Sequence, residues 1–398
     1  MTPKQIELIK ATIPILRESG IDLTTHFYEN LFNETPELKN IFNMGNQATG
    51  KQPHALASSI LAYAEHIENP EVLINVLKMI GNKHVSLNIS PNQYDTVGKY
   101  LLISMKQVLR ATDEILDAWA QAYTELASIM ISIEQEISLS KLHKKGGWLG
   151  WRAFEIMKIV EESNEIKSFY LKPKDGKEIA EYFPGQYLSL KIFIPSLGYE
   201  QPRQYSLSSA FSQDYYRISV KKENGNTIGP QGIVSTILHQ SQVGREIWVS
   251  APSGNIYHDH SLQTPLVLIS GGVGITPLMS ILETHQNIGS KNQVIWFHSA
   301  RSPHVHAFKE KIEKLNRDNT WLTSITFYNE IDHETQEIKR GRINLHDYKE
   351  QILIEGAKYY ICGPQPFIKA HYEVLVDLGV NKENIFYEEF GPNLLQMI

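Results

Sequence analysis

The apolar residues of this chain keep one period up to about residue 140 and another beyond it, and no single layer of secondary structure serves both. In the first stretch they recur at helical spacing. Leu23, Phe27 and Leu31 share one face, Leu56, Ile60, Tyr63 and Ile67 another, and Ile115, Trp119, Ala122, Leu126, Ile129 and Ile133 a third. Thr2-Pro3-Lys4-Gln5 is a capping box with proline at the first helical position, and Ser90-Pro91-Asn92-Gln93 repeats the device. About six helices joined by short turns would close one core.

The segment HKKGGWLGW (143–151) breaks that pattern with adjacent glycines. Beyond it, EIKSFYLKP, GQYLSLKIFIP, YYRISVKK and REIWVSAP read as short strands between Pro/Gly turns, which predicts a small antiparallel barrel over 150–258. From 262 the strands become wholly apolar (PLVLIS, QVIWFHSA, KYYICGP) and alternate with helices, the signature of a parallel sheet. The expected class is therefore multidomain α + β + α/β: an all-α domain over 1–143, an antiparallel β-barrel over 150–258 and an α/β parallel-sheet domain over 262–398. A length of 398 residues suits two or three domains, at ~150 residues each.

A 42% hydrophobic and 21% charged composition is that of a soluble globular protein. Net charge −6 leaves no basic footprint for nucleic acid. The single cysteine, Cys362, excludes an intrachain disulfide framework and suits a reducing cytosol. MTPKQIELIK lacks the apolar core of a signal peptide, and no apolar run approaches the ~18 residues that span a bilayer. These observations predict a cytoplasmic protein with no obligatory membrane partner.

Several motifs carry chemistry. Leu73, Leu77 and Ile80 form a helical stripe whose next member is His84: either a core histidine bonded to a carbonyl, or a ligand. In RQYSLSS (203–209), Arg203, Tyr205 and Ser206 share a strand, where an arginine fork can hold a pyrophosphate and a tyrosine ring can cover a flat heterocycle. GIVSTIL (232–238) leads a glycine into a helix with Ser235 in its first turn, an anion site or a plain capped helix. In PLVLISGGVGITPLMSIL (265–282), Gly271, Gly272 and Gly274 allow close backbone approach to a phosphate or ribose, although no third glycine of the dinucleotide fingerprint follows.

The order RQYS, GIVS, GGVGITP, YYICGPQPF and YEEFGP resembles the ferredoxin–NADP reductase superfamily over residues 150–398. The resemblance implies that Arg203, Gln204, Tyr205 and Ser206 bind FAD, with Gln186 and Tyr187 of PGQY nearby and Ser235 at the pyrophosphate. It implies further that Gly271–Thr276, including Ile275, together with Cys362, Gly363 and Pro364, hold NAD(P)H, and that Glu388 and Phe390 lie near the flavin. Such a module takes a hydride and releases single electrons. The helical half must then supply an acceptor. Without cysteine it cannot hold an iron–sulfur cluster, and it shows no Glu-x-x-His pair. His84 remains, as the proximal ligand of a haem.

Around it, HFYENLF, IFNMGNQ, GKQPHAL, NKHVSLNISPNQY and ILDAWAQAY resemble the flavohaemoglobin family, and the resemblance spans essentially the whole chain. It implies haem b held by His84, Phe42 packed on the haem, and Tyr28, Gln52 and Leu56 in the distal pocket. On the proximal side, extending the last helical stripe past Ile133 reaches Glu136, which either lies at a frayed helix end and reaches water or is buried against a donor, and Tyr94 opens the stripe of its own helix. The resemblance implies that this carboxylate and phenol converge on the His84 imidazole.

The implied activity is nitric oxide dioxygenation, with NO and O2 converted to nitrate at a haem reduced by NAD(P)H through FAD. Two other readings stay open: an oxygen carrier or gas sensor that reduces itself, and a reductase for an external acceptor. Arg301 and Ser302 either meet a 2′-phosphate or are surface loop; His304/His306 and His258/His260 read as loop residues; the expected state is a monomer.

Overall fold

The computed structural model describes residues 1–225 and 231–391. Six α-helices come first: α1 (Pro3–Glu34), α2 (Met44–Ala48), α3 (Lys51–Glu65), α4 (Ile74–Leu87), α5 (Asn92–Val108) and α6 (Asp113–His143). The α1 capping box is complete: Gln5 N–H donates to Thr2 Oγ1 (3.3 Å) and Thr2 N–H to Gln5 Oε1 (2.8 Å). At α5 only half of it forms. Ser90 N–H donates to Gln93 Oε1 at 2.9 Å, whereas the Ser90 hydroxyl turns to Asn92 Oδ1. Phe27, Leu31, Leu101, Met105 and Trp119 fill the core. Two glycines set how close the helices come: a Cβ on Gly81 would lie 2.9 Å from Ile133, and one on Gly98 2.5 Å from the Tyr123 ring. Thus α4 and α5 both press directly on α6.

After α6 the chain doubles back so tightly that a Cβ on Gly147 would fall 1.9 Å from the Lys141 carbonyl oxygen. Strands β1 (Arg152–Glu161), β2 (Ile166–Pro173), β3 (Tyr187–Ile194), β4 (Tyr199–Ser206), β5 (Tyr216–Lys221) and β6 (Glu246–Val249), with helix α7 (Ile233–His239) before β6, build an antiparallel sheet in the order β4-β3-β6-β1-β2-β5. A Leu207–Ile218 bridge joins the two outer strands and closes the barrel, around Phe154, Phe169, Leu190 and Ile218.

The last domain comprises β7 (Leu266–Gly271), α8 (Ile275–Asn287), β8 (Val294–Ala300), α9 (Lys309–Asp318), β9 (Leu322–Tyr328), β10 (Ile338–Arg340), α10 (Lys349–Ile352), β11 (Lys358–Gly363), α11 (Gln365–Asp377) and β12 (Ile385–Glu389). Every pairing in its sheet is parallel, in the order β10-β9-β8-β7-β11-β12. The order reverses between β7 and β11, and the crevice beyond their carboxyl ends is where such sheets bind ligands. Helix α8 is buried along Ile275–His285 because the barrel covers its outer face: Arg217 of β5 pairs with Glu283 at 2.8 Å, and Ser280 donates to Ser209 O at 2.6 Å. No helix among the described residues is long and apolar enough to cross a membrane.

Candidate functional site: a histidine pocket and an adjoining nucleotide crevice

His84 lies in the last turn of α4, over α6. Its Nδ1 is 2.7 Å from Glu134 Oε1 and 3.1 Å from the Tyr94 hydroxyl, which itself donates to Glu134 Oε1 at 2.5 Å. Tyr94 is held in place by the Tyr123 hydroxyl, which donates to its carbonyl at 2.7 Å. Burial, and next the Glu134 carboxylate, push the Tyr94 phenol well above its ordinary pKa, so it remains a donor. With Nδ1–H facing a carboxylate, the lone pair falls on Nε2, which has no protein partner among the described residues. An imidazole held this way is suited to ligate a metal, with its basicity raised.

The carboxylate is Glu134, not Glu136. Glu134 is buried and Glu136 exposed. Met130, Ile133 and Glu134 form the buried face at this end of α6, so the stripe continues through the residue four beyond Met130. Tyr94 stands where expected.

On the other side of α4's core, Tyr28 is buried on α1 and accepts from Gln52 Nε2 at 3.4 Å. Gln52 reaches it although Pro53 follows, because Pro53 sits in the first turn of α3, where no intrahelical donor is lost. Phe42 meets Tyr28 edge-on with ring centroids 5.7 Å apart, and Leu56 packs against the same cluster. Burial raises the Tyr28 pKa to about 12, so the hydroxyl keeps its proton. That O–H has no acceptor among the described residues. A buried donor with no protein partner is what a small polar ligand would satisfy.

A cavity of about 780 Å³ opens between barrel, parallel sheet and α4. Tyr187, Arg203, Gln204, Tyr205, Ser206 and Ser235 line one wall, Thr276 another, and Glu388 and Phe390 a third. Arg203 pairs with no carboxylate among the described residues; its guanidinium donates to Pro202 O (2.7 Å), and burial lowers its pKa. A half-buried cation without an anion fits a pyrophosphate. Gln186 stands behind the wall, donating to Gly254 O at 2.9 Å. Ser235 accepts from Glu223 N–H at 3.2 Å and donates to Gly232 O at 3.0 Å, so its hydroxyl ties the helix to the strand end while the residue lines the cavity.

At the switch point, Gly272 takes a left-handed conformation (φ 55°), and a Cβ on Gly274 would lie 2.2 Å from Cys362 O. Gly271 and Gly363 both face the Phe367 ring, Ile275 is buried, Thr276 donates to Val273 O at 3.1 Å, and Pro364 opens α11. The Cys362 thiol is buried and its pKa raised by that burial, which suits packing rather than nucleophilic chemistry. Glu388 is raised to about 8 by burial, and one of its oxygens has no partner among the described residues. Facing it is Lys83 of α4, lowered to about 8 by burial, whose Nζ donates to Gly391 O at 3.0 Å. The residue before His84 therefore touches the end of the parallel-sheet domain.

A second fastening, absent from the sequence reading, is Gln201 of β4. Its amide donates to Lys39 O (3.0 Å) and Phe42 O (3.2 Å) and accepts from Met44 N–H (3.1 Å). Of the residues left open, Arg301 is paired with Glu165 across the barrel and the parallel-sheet domain. His306 and His258 lie in loops, as expected, but are buried: His306 stacks on His298 (ring centroids 4.2 Å apart) and His258 bonds Tyr360 (3.3 Å).

Three family models match in succession: a globin over residues 25–130, an oxidoreductase FAD-binding domain over 153–258 and an oxidoreductase NAD-binding domain over 268–373. Proteins named flavohemoprotein from Rhizobium meliloti (strain 1021) and Oceanobacillus iheyensis are each 44% identical, the first over 99% of both chains, the second over 98% of this chain and 96% of its own. The chain belongs to the flavohemoprotein family. A crystal structure of flavohemoglobin from Malassezia yamatoensis with bound FAD and heme matches with a TM-score of 0.86 at 26% identity, covering 98% of this chain and 99% of that one. The flavohem-like FAD/NAD binding domain of nitric oxide dioxygenase from Vibrio cholerae matches 61% of this chain and 99% of its own at 34% identity, with a TM-score of 0.53. The histidine pocket thus lies in a globin, and the crevice spans an FAD-binding and an NAD-binding domain.

Proposed function

We propose that this chain is an NAD(P)H-dependent nitric oxide dioxygenase with globin, FAD and NAD(P) domains over 1–143, 150–258 and 262–398. The observation that carries the reading is the carboxylate on His84: a ligand made more basic by Glu134 favours oxygen activation over reversible carriage. When bound, haem b and FAD supply the redox chemistry by which one electron from NAD(P)H converts NO and O2 to nitrate.

The chain's own residues do the rest. His84 Nε2 offers the lone pair that would hold the haem iron, while Glu134 and Tyr94 keep the proton on Nδ1. Gln52 occupies the Tyr28 oxygen, which leaves the phenol proton free to point at a ligand, and Phe42 and Leu56 keep that side apolar. Such a donor is worth most in a dry pocket. Arg203 with Gln204, Tyr205, Ser206 and Ser235 holds the flavin nucleotide, with Gln186 and Tyr187 shaping the wall. Gly271, Gly272, Gly274, Ile275, Thr276, Cys362, Gly363 and Pro364 form the nicotinamide site, and Glu388 and Phe390 close it. In this reading the protein works as a cytoplasmic monomer.

The test is NO consumption by purified protein with NADH. Consumption that requires O2 and yields one nitrate per NO supports the reading. NADH oxidation supported by an added quinone, with NO left untouched, would replace it by a reductase for an external acceptor.

A further inference from the structure

Helix α4 touches the flavin wall through a hydrogen-bond chain that neither cofactor site requires. The Ser86 hydroxyl, two residues past His84, lies 2.7 Å from the Ser189 hydroxyl on β3, and Gln204 Nε2 on β4 lies 3.1 Å from the same Ser189 oxygen. Ser86 and Ser189 are 1% and 0% exposed, so water cannot substitute for either partner. Gln204 stands directly opposite Ser189 in the sheet and lines the cavity.

With the Ser86 proton placed on the Lys83 carbonyl, the chain runs in one direction. Each hydroxyl has one proton to donate. Ser86 donates its proton to the Lys83 carbonyl at 2.8 Å, part of the peptide that enters His84. Ser86 can then only accept from Ser189, and Ser189, its proton committed, can only accept from Gln204. The Tyr187 phenol also lies beside Ser86; were Ser86 to donate there instead, the order would be the same. The carbonyl at the globin end therefore dictates which end of a flavin-site amide faces inward.

We propose that Ser86 is a positioning residue for the flavin: through Ser189 it holds Gln204 with the carbonyl oxygen, not the NH2, turned into the cavity. This rests on the reading of that cavity as the FAD site. An acceptor there favours the reduced ring, which carries a nitrogen-bound hydrogen that the oxidised ring lacks. With Ser86→Ala the Ser189 proton loses its acceptor and can turn to Gln204 Oε1. The amide then reverses and offers the flavin a donor.

The experiment is a spectroelectrochemical titration of the flavin in the full-length holoprotein. Ser86→Ala should shift the flavin potential in the negative direction, lowering the equilibrium constant for its reduction by NADH about fivefold, the scale of one net hydrogen bond. Ser86→Thr, which keeps the hydroxyl, should restore the wild-type value. Ser189→Ala removes the same link from the barrel side and should shift the potential in the same direction. A merely structural serine would lower thermal stability and leave the potential alone, and that result overturns the proposal. So does an equal shift in Ser86→Thr. Wild-type protein that purifies without flavin would instead overturn the reading of the cavity, and this inference with it.

Discussion

Glu134 and Glu136 are two residues apart on α6, which places them about 200° apart around the helix. Only the former meets His84. Helical periodicity points to a carboxylate here and places it two residues too far along, because a stripe does not stay straight. Over 31 residues the buried face drifts, from Trp119 and Ala122 to Met130, Ile133 and Glu134. Counting three onward from Ile133 lands on solvent, while four onward from Met130 lands in the core. The expected consequence is asymmetric. Glu134→Gln should lower the iron–histidine stretching frequency in the ferrous protein and reduce turnover, whereas Glu136→Gln should leave both at wild-type values. On the other side, Tyr28→Phe removes the phenol proton available to a bound ligand. The oxygen dissociation rate, measured by stopped flow, should rise on the order of tenfold, with flavin reduction unchanged.

At the level of elements, the legible parts were those whose pattern is uninterrupted. The apolar runs of β7, β8 and β11 and the glycine turn after β7 are visible in sequence because both faces of a parallel sheet are buried. Strand β1 was not, although it is the longest of the barrel. Its register slips between Ile156 and Lys158, so the alternation that buries Phe154 and Ile156 stops halfway along the strand. Glycines show the complementary limit. A sequence reveals that Gly274 is a glycine; only the fold reveals that Cys362 O stands 2.2 Å from where a side chain would begin. Gly274→Ala must push β11 away from the turn. It should cost about 1–3 kcal/mol in urea unfolding and weaken binding of NADH in the same protein.

Across the whole molecule, α6 is a single rod that carries Glu134 to His84 and Lys141 into the barrel. Lys141 donates to the Ser253 hydroxyl and lies 3.5 Å from Ala251 O, with no carboxylate paired to it among the described residues. Burial, helped by Lys144, lowers its pKa to about 7. Unfolded, a lysine titrates near 10.4. Between those values the unfolded chain binds more protons than the folded one, so stability rises with pH across that window, by at most about 1.4 kcal/mol per unit. Below pH 7 the cost of burying the charge is fully present. Lys141→Met should therefore be most favourable relative to wild type at pH 6, with its advantage shrinking steadily toward pH 10 in paired thermal denaturation curves. Gln201 has a consequence of another kind. The corner bearing Phe42 owes its shape to an amide that belongs to the barrel, since Lys39, Phe42 and Met44 all spend backbone groups on it. A foreign reductase grafted behind residue 150 would arrive without that grip unless it brought an equivalent amide, and the haem-side corner would relax. The two halves are not portable cassettes: part of the mould of the Tyr28 pocket is written on the wrong side of the linker.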